Sequence, residues 1–323
     1  MKSSSSTRLR AAAAVALLTP LLAACGDPFG GGAEAGTGPR VVASFYPLQY
    51  VAERVAGEHA QVTSLTSPGV EPHDLELSVE QTATLADADL VLYEKGMQPA
   101  VDEAVQQNGP DEAIETTEVS PLEETGDHAG EESPDEHADE TAEEHAEHAH
   151  EDGDPHFWLD PLKLAEVGDT LGERMAEVDP DHAEAYRANA ADLRDDLAAL
   201  DEEYTSILDD CARDTVVVSH DAFGYLERYG LHFEAIAGLS PDAEPSPAHL
   251  AELQDLIERE GITTVFSETL ASPAMARTIA SDLGLDTGVL DPVEGLGDET
   301  AQEDYLSLMR QNLAALQEAN QCR

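Results

Sequence analysis

Basic residues are nearly missing from this chain. Sixteen Lys and Arg stand against 68 Asp and Glu in 323 residues, a formal charge of −52, and lysine occurs only at Lys2, Lys95 and Lys163. A nucleic-acid binder needs a basic stripe to neutralise phosphates, so that class is excluded. Anionic membrane surfaces repel such a chain as well. Aromatic residues make up 5% with a single tryptophan, which leaves the core to be built largely from Ala, Val and Leu. Apolar runs of membrane length are also lacking: residues 11–22 form the longest candidate, too short to span a bilayer as a stable helix. The 41% apolar content is nonetheless ordinary for a globular protein, and the length suggests about two domains of roughly 150 residues each.

Residues 1–24 read as a signal segment rather than as fold. Lys2, Arg8 and Arg10 precede the short apolar run, and the run ends in Leu22, Ala23, Ala24 and Cys25. This ending resembles a bacterial lipobox, in which Cys25 is acylated and becomes the new N-terminus. Residues 25–39, rich in glycine and without periodicity, read as a flexible tether. The expectation is an exported chain held at the outer face of the cell membrane by lipid. Export allows a disulfide, and Cys211 and Cys322 lie at the two edges of a C-terminal unit that such a bond would staple.

Strand and helix signals alternate from residue 40 onward. Strands are expected at 41–44, 61–66 and 89–93, with helices at 47–56, 78–86 and 100–107 between and after them. Residues 111–154 then change character: 19 acids, five histidines, no Lys or Arg and no apolar periodicity, which reads as a solvated insertion without a core. Order resumes near residue 155 with a helix to about 178. Residues 181–210 lack Gly and Pro and carry Tyr186, Ala190, Leu193, Leu197, Leu200, Tyr204 and Ile207 on one stripe. Strands at 215–219, 232–236, 263–267 and 287–290 follow, with helices at 222–228, 247–260, 273–283 and 302–320. The fold class is α/β: two similar lobes with parallel sheets, residues 40–178 and 211–323, joined by one long helix over 179–210.

Four residues share a setting. His73 lies in the loop beyond the second strand, His220 and Asp291 directly follow strands, and His156 stands between the acidic insertion and a helix. Ligands of open parallel sheets bind outside the carboxyl ends of strands, and facing lobes would bring the four to one interface. Three imidazoles and a carboxylate suit a first-row divalent ion, zinc foremost. His59, His182, His232 and His249 have no such placement and read as ordinary polar side chains. Glu268, at a strand end, reads as a supporting or structural group rather than a ligand.

The segments GVEPHDLE (69–76), DPHFWLDP (154–161), VSHDAFGY (218–225) and GLSPDAEPS (238–246) resemble the zinc/manganese-specific solute-binding lipoproteins of ABC transporters, the ZnuA-like family. The resemblance covers residues 40–323. It implies metal ligation by His73, His156, His220 and Asp291, two lobes with little relative movement around a rigid helix, and a monomer that delivers metal to a membrane permease. A histidine as third ligand favours zinc (Zn2+), with manganese (Mn2+) as the alternative. A surface adhesin is a second reading of the same family, and a zinc hydrolase a third. Against the hydrolase stand a fourth ligand where water would sit and the lack of an HExxH motif.

His128, His137, His145, His148 and His150 lie among the acids of the insertion. Imidazoles and carboxylates on a loop make weak, exchangeable sites, which suits rapid capture of zinc. The insertion holds only 19 of the 68 acids; the rest form a general acidic coat of the kind that keeps proteins soluble in salt. Removing residues 123–152 should keep one high-affinity zinc and lose the weaker equivalents that the loop contributes. Calorimetric titration of the shortened chain checks this, and an unchanged zinc stoichiometry would rule out the capture role.

Overall fold

The computed structural model describes residues 38–110, 112–122, 153–241 and 243–323. Two four-stranded, wholly parallel sheets organise them. The first has the order β2-β1-β3-β4, with β1 at Arg40–Ala43, β2 at Gln61–Ser64, β3 at Leu90–Tyr93 and β4 at Ala113–Glu115. The second has the order β6-β5-β7-β8, with β5 at Thr215–Val218, β6 at His232–Ala235, β7 at Thr264–Ser267 and β8 at Asp286–Val289. The same order in both halves, with helices as crossovers, is the arrangement expected of two similar α/β lobes.

Local chemistry sets the helix starts. In α1 (Tyr46–Ala56) and α5 (Pro161–Val178) a proline occupies the first turn, where its missing N–H costs nothing. The Asp160 carboxylate accepts from the Leu162 N–H at 2.8 Å and caps α5. Helix α2 (Val79–Ala86) opens on a reciprocal pair between Ser78 and Gln81, and α3 covers Pro99–Asn108. In the second half, α7 (Pro247–Glu260) and α8 (Ala274–Leu283) end on Gly261 and Gly284, whose φ values of 65° and 69° are left-handed.

The long helix α6 runs from Ala183 to Leu208 after a 3-10 turn at Pro180–His182. At 1.5 Å per residue its 26 residues span about 39 Å. Its buried stripe is the expected one, completed by Leu208, while Ile207 is only partly buried. It packs against α1 and α5 beside the first sheet and against α9 (Tyr305–Asn320) beside the second. A Cβ at Gly172 of α5 would stand 2.8 Å from the Ala190 Cβ, so glycine there permits the close approach of α5 and α6. Cys211, just past α6, is disulfide-bonded to Cys322, just past α9.

The acidic segment is not coreless throughout. Residues 113–115 form β4, paired with β3, and lead into the single-turn α4 (Thr116–Val119), burying Ile114 and Thr116. An edge strand of three residues carries too short an alternation to register against so many acids. The expected helix at 222–228 is instead a 3-10 helix at Gly224–Tyr229. The few aromatics are concentrated rather than dispersed. Trp158, Tyr186, Tyr204, Tyr305, Phe45, Phe157 and Phe223 are among the largest fully buried side chains, and all belong to one apolar cluster that continues from the first half into the second. Among the described residues no helix is long and apolar enough to cross a membrane.

Candidate metal centre

The loop after β2 presents His73. Gln98 supports it from beneath, donating to the Pro72 carbonyl at 3.1 Å and to Thr66 Oγ1 at 2.9 Å. The Gly69 N–H reaches across to the Leu296 carbonyl in the second half, at 2.7 Å.

His156 comes directly before the 3-10 turn Phe157–Leu159, whose three side chains are fully buried. The Asp154 carboxylate accepts from the His156 backbone N–H at 2.9 Å and lies 2.7 Å from the ring Nδ1. His220 stands two residues past β5, with Nδ1 2.7 Å from Glu268 Oε1, an oxygen that also accepts from the Ser219 hydroxyl. In both rings a carboxylate lies beside Nδ1, and Nε2 is the nitrogen that faces Glu294.

The three imidazoles converge. Their ring centroids are 5.5, 6.3 and 5.4 Å apart for the pairs His73–His156, His73–His220 and His156–His220. The fourth group facing them is Glu294. Its Oε1 lies 3.5 Å from His73 Nε2, 3.3 Å from His156 Nε2 and 3.5 Å from His220 Nε2. One donor atom from each of the four lies within 4.8 Å of the others. These are long, poorly aligned contacts, and the three Nε2 atoms and both Glu294 oxygens have no hydrogen-bond partner although buried. The spacing fits another role. An ion bound tetrahedrally at about 2.0–2.1 Å sets its ligand atoms about 3.3–3.4 Å apart.

Asp291, expected as the fourth ligand, is not in this group. Its Oδ1 accepts from the Val293 N–H at 2.7 Å and its Oδ2 from the Thr269 hydroxyl at 2.8 Å. Asn312 exchanges two bonds with its backbone, at 2.8 and 2.6 Å. Both carboxylate oxygens are thus engaged in shaping the loop after β8. Val293, fully buried, takes a left-handed φ of 60°, rare for a β-branched residue. This turn places the next side chain, Glu294, in the cluster. Sequence reasoning missed Glu294 because it sits five residues beyond the strand; the one visible sign was a second carboxylate in the same loop. Glu268 lies beside His220, away from the four donor atoms. Cys25, His128, His137, His145, His148 and His150 lie outside the described residues.

The centre is electrostatically tight. Burial alone would lower the imidazole pKa values. Asp154 and Glu294 outweigh it and lift His156 to about 9, and Glu268 and Glu294 lift His220 to about 10. Burial would likewise raise Glu294, yet the three histidines hold it well below the ordinary carboxylate range. Glu71 is pushed up to about 8 by burial and by the nearby Glu294 charge, so it is largely a neutral acid at pH 7.

The family model described as zinc-uptake complex component A, periplasmic, matches residues 41–319. The zinc-binding lipoprotein AdcA of Streptococcus pneumoniae is 36% identical over 282 residues, covering 86% of this chain and 55% of that protein; the chain thus spans about half the length of that relative. The high-affinity zinc uptake system protein ZnuA of Bacillus subtilis is 33% identical over 305 residues, 93% of each chain. The crystal structure of the Zn(II)-bound ZnuA-like domain of Streptococcus pneumoniae AdcA superimposes with a TM-score of 0.70 at 31% identity, covering 88% of this chain and 99% of that one.

Without an ion, His156 and His220 are both protonated at pH 7, because both pKa values lie above it. A divalent ion takes only neutral imidazole, so its binding at pH 7 should expel about two protons. The count falls as the pH rises through 9 and 10, and the affinity weakens as the pH is lowered. Calorimetry in buffers of different ionisation enthalpy reads the count, and a value of zero at pH 7 would contradict these charge states.

Proposed function

The chain belongs to the family of periplasmic component A of zinc-uptake complexes, and from that premise we propose that it binds Zn2+ outside the cytoplasmic membrane and hands it to an ABC permease for import. The observation that carries this reading is a set of four buried donor atoms without hydrogen-bond partners, in which Glu294 Oε1 stands 3.3–3.5 Å from each imidazole Nε2, the edge length of a tetrahedron around an ion of zinc's bond length. His73, His156 and His220 are the nitrogen ligands, Glu294 the carboxylate.

Three imidazoles favour zinc over manganese, which prefers more oxygen donors. Glu294 takes the position that a catalytic zinc keeps open for water, which supports binding and release rather than hydrolysis. His73 is the one histidine of the three with an exposed edge, 11% of its side chain, and marks the side from which the ion arrives and leaves. Acylated Cys25 would hold the protein at the membrane, and the histidines of residues 123–152 would gather zinc for it.

The test is competition titration of metal-free protein with Zn2+ and Mn2+. One tight zinc equivalent per chain is expected, with zinc preferred. His220→Ala should weaken that equivalent by more than the ~10–100-fold typical of lost supporting groups around a metal. Equal or tighter manganese binding would overturn the choice of metal, and an unaltered zinc affinity in His220→Ala would overturn the site.

A further inference from the structure

The two histidines nearest the start of the first sheet have a placement that their sequence context does not reveal. His59 lies in the turn between α1 and β2, and His182 ends the 3-10 turn before α6. Their rings stack with centroids 4.2 Å apart and planes 19° from parallel. Tyr186 stands against both, at 6.1 and 6.4 Å. They line a groove of about 750 Å³ at the amino ends of the strands, whereas the His73–His156–His220–Glu294 cluster lies beyond the carboxyl ends.

Asp179 gives this pair its chemistry. Its Oδ2 lies 2.7 Å from His182 Nδ1 and accepts from the Tyr186 hydroxyl at 2.9 Å. This repeats the arrangement of Asp154 on His156 and Glu268 on His220, each also 2.7 Å from Nδ1. A carboxylate on Nδ1 fixes the tautomer and leaves the Nε2 lone pair directed away. His182 keeps 43% of its side chain exposed, so that nitrogen faces the groove rather than a packed core. Glu58 and Asp181 supply negative charge at the rim, while Asp89 on the same wall is engaged with the Arg40 backbone and guanidinium.

We propose that His182 and His59, with a rim carboxylate, form a second, exchangeable site for a divalent transition-metal ion such as Zn2+. Rotation of the half-buried His59 ring about χ2, with His182 kept on Asp179, aims one nitrogen of each ring at a common point, and water completes the coordination. This site is weaker than the central one. Among the described residues only the central cluster already brings three or more such ligand atoms within 4.8 Å of one another, and the groove must reorganise to bind. The stacking serves to hold the two imidazoles at chelating distance until an ion draws them together.

The test is a zinc titration of the full chain past its first, tight equivalent, followed through the imidazole 15N and 1H resonances of His59 and His182, assigned from His59→Ala and His182→Ala. Saturable shifts at both rings after the central site has filled are expected. Either substitution should weaken the response of the remaining ring by about tenfold or more, with the first equivalent untouched. Resonances that stay fixed up to zinc saturation, or a response of His182 unchanged by His59→Ala, would overturn the proposal. Loss of the first equivalent in wild-type protein would concern the central site instead, because the two are read on different resonances.

Discussion

A carboxylate buried among three imidazoles is the constraint on which the rest depends. Glu294 is 1% exposed and has no hydrogen-bond donor of ordinary geometry. A charge in that position is tolerable only if cations face it. Without an ion the protonated imidazoles of His156 and His220 supply that charge; with one, the ion does. On the proposed reading a divalent cation displaces those protons, and the carboxylate is compensated in either state. The flanking carboxylates Asp154 and Glu268 belong to the same logic, since each lies 2.7 Å from an imidazole Nδ1 and adds negative charge beside it.

This exchange needs the donors at fixed spacing, and the surroundings are built for stiffness. Asp291 and Asn312 clamp the loop that ends in Glu294. Trp158, two residues past His156, donates its indole N–H to the Pro292 carbonyl at 2.7 Å, and Tyr305 donates to the Trp158 carbonyl. Tyr225, near His220, donates to the Asp154 carbonyl at 2.9 Å. The Trp158–Pro292 and Tyr225–Asp154 bonds join the segments that carry His156, His220 and Glu294. The apolar cluster continuing beneath both sheets has the same effect, because wide separation of the halves would expose Trp158, Tyr204 and Tyr305 together. Small movements at the opening beside His73 disturb far less buried surface.

Much of this was legible in the chain itself. Period-two and period-3.6 patterns located nearly every strand and helix of the two sheets, and the rule that ligands gather beyond strand carboxyl ends selected His73 and His220. The failures have specific causes. Asp291 stands where a ligand should stand, but its oxygens shape the turn, and the left-handed Val293 that carries Glu294 inward leaves no mark in composition or spacing. Strand β4 hid in an acidic segment because three edge residues give no countable alternation. His59 and His182 are 123 positions apart by their numbers in the chain, and nothing local foretells that they stack. Long-range juxtaposition was the part that residue patterns did not carry.

The central claim is that Glu294, with three histidines, holds the ion. A crystal structure of the zinc-loaded protein, with anomalous scattering at the zinc edge, tests it most directly. The account predicts one buried zinc within about 2.0–2.2 Å of the Nε2 atoms of His73, His156 and His220 and of a Glu294 oxygen, with Asp291 still bonded to Val293 and Thr269. Zinc ligated by Asp291 with Glu294 turned away would contradict it.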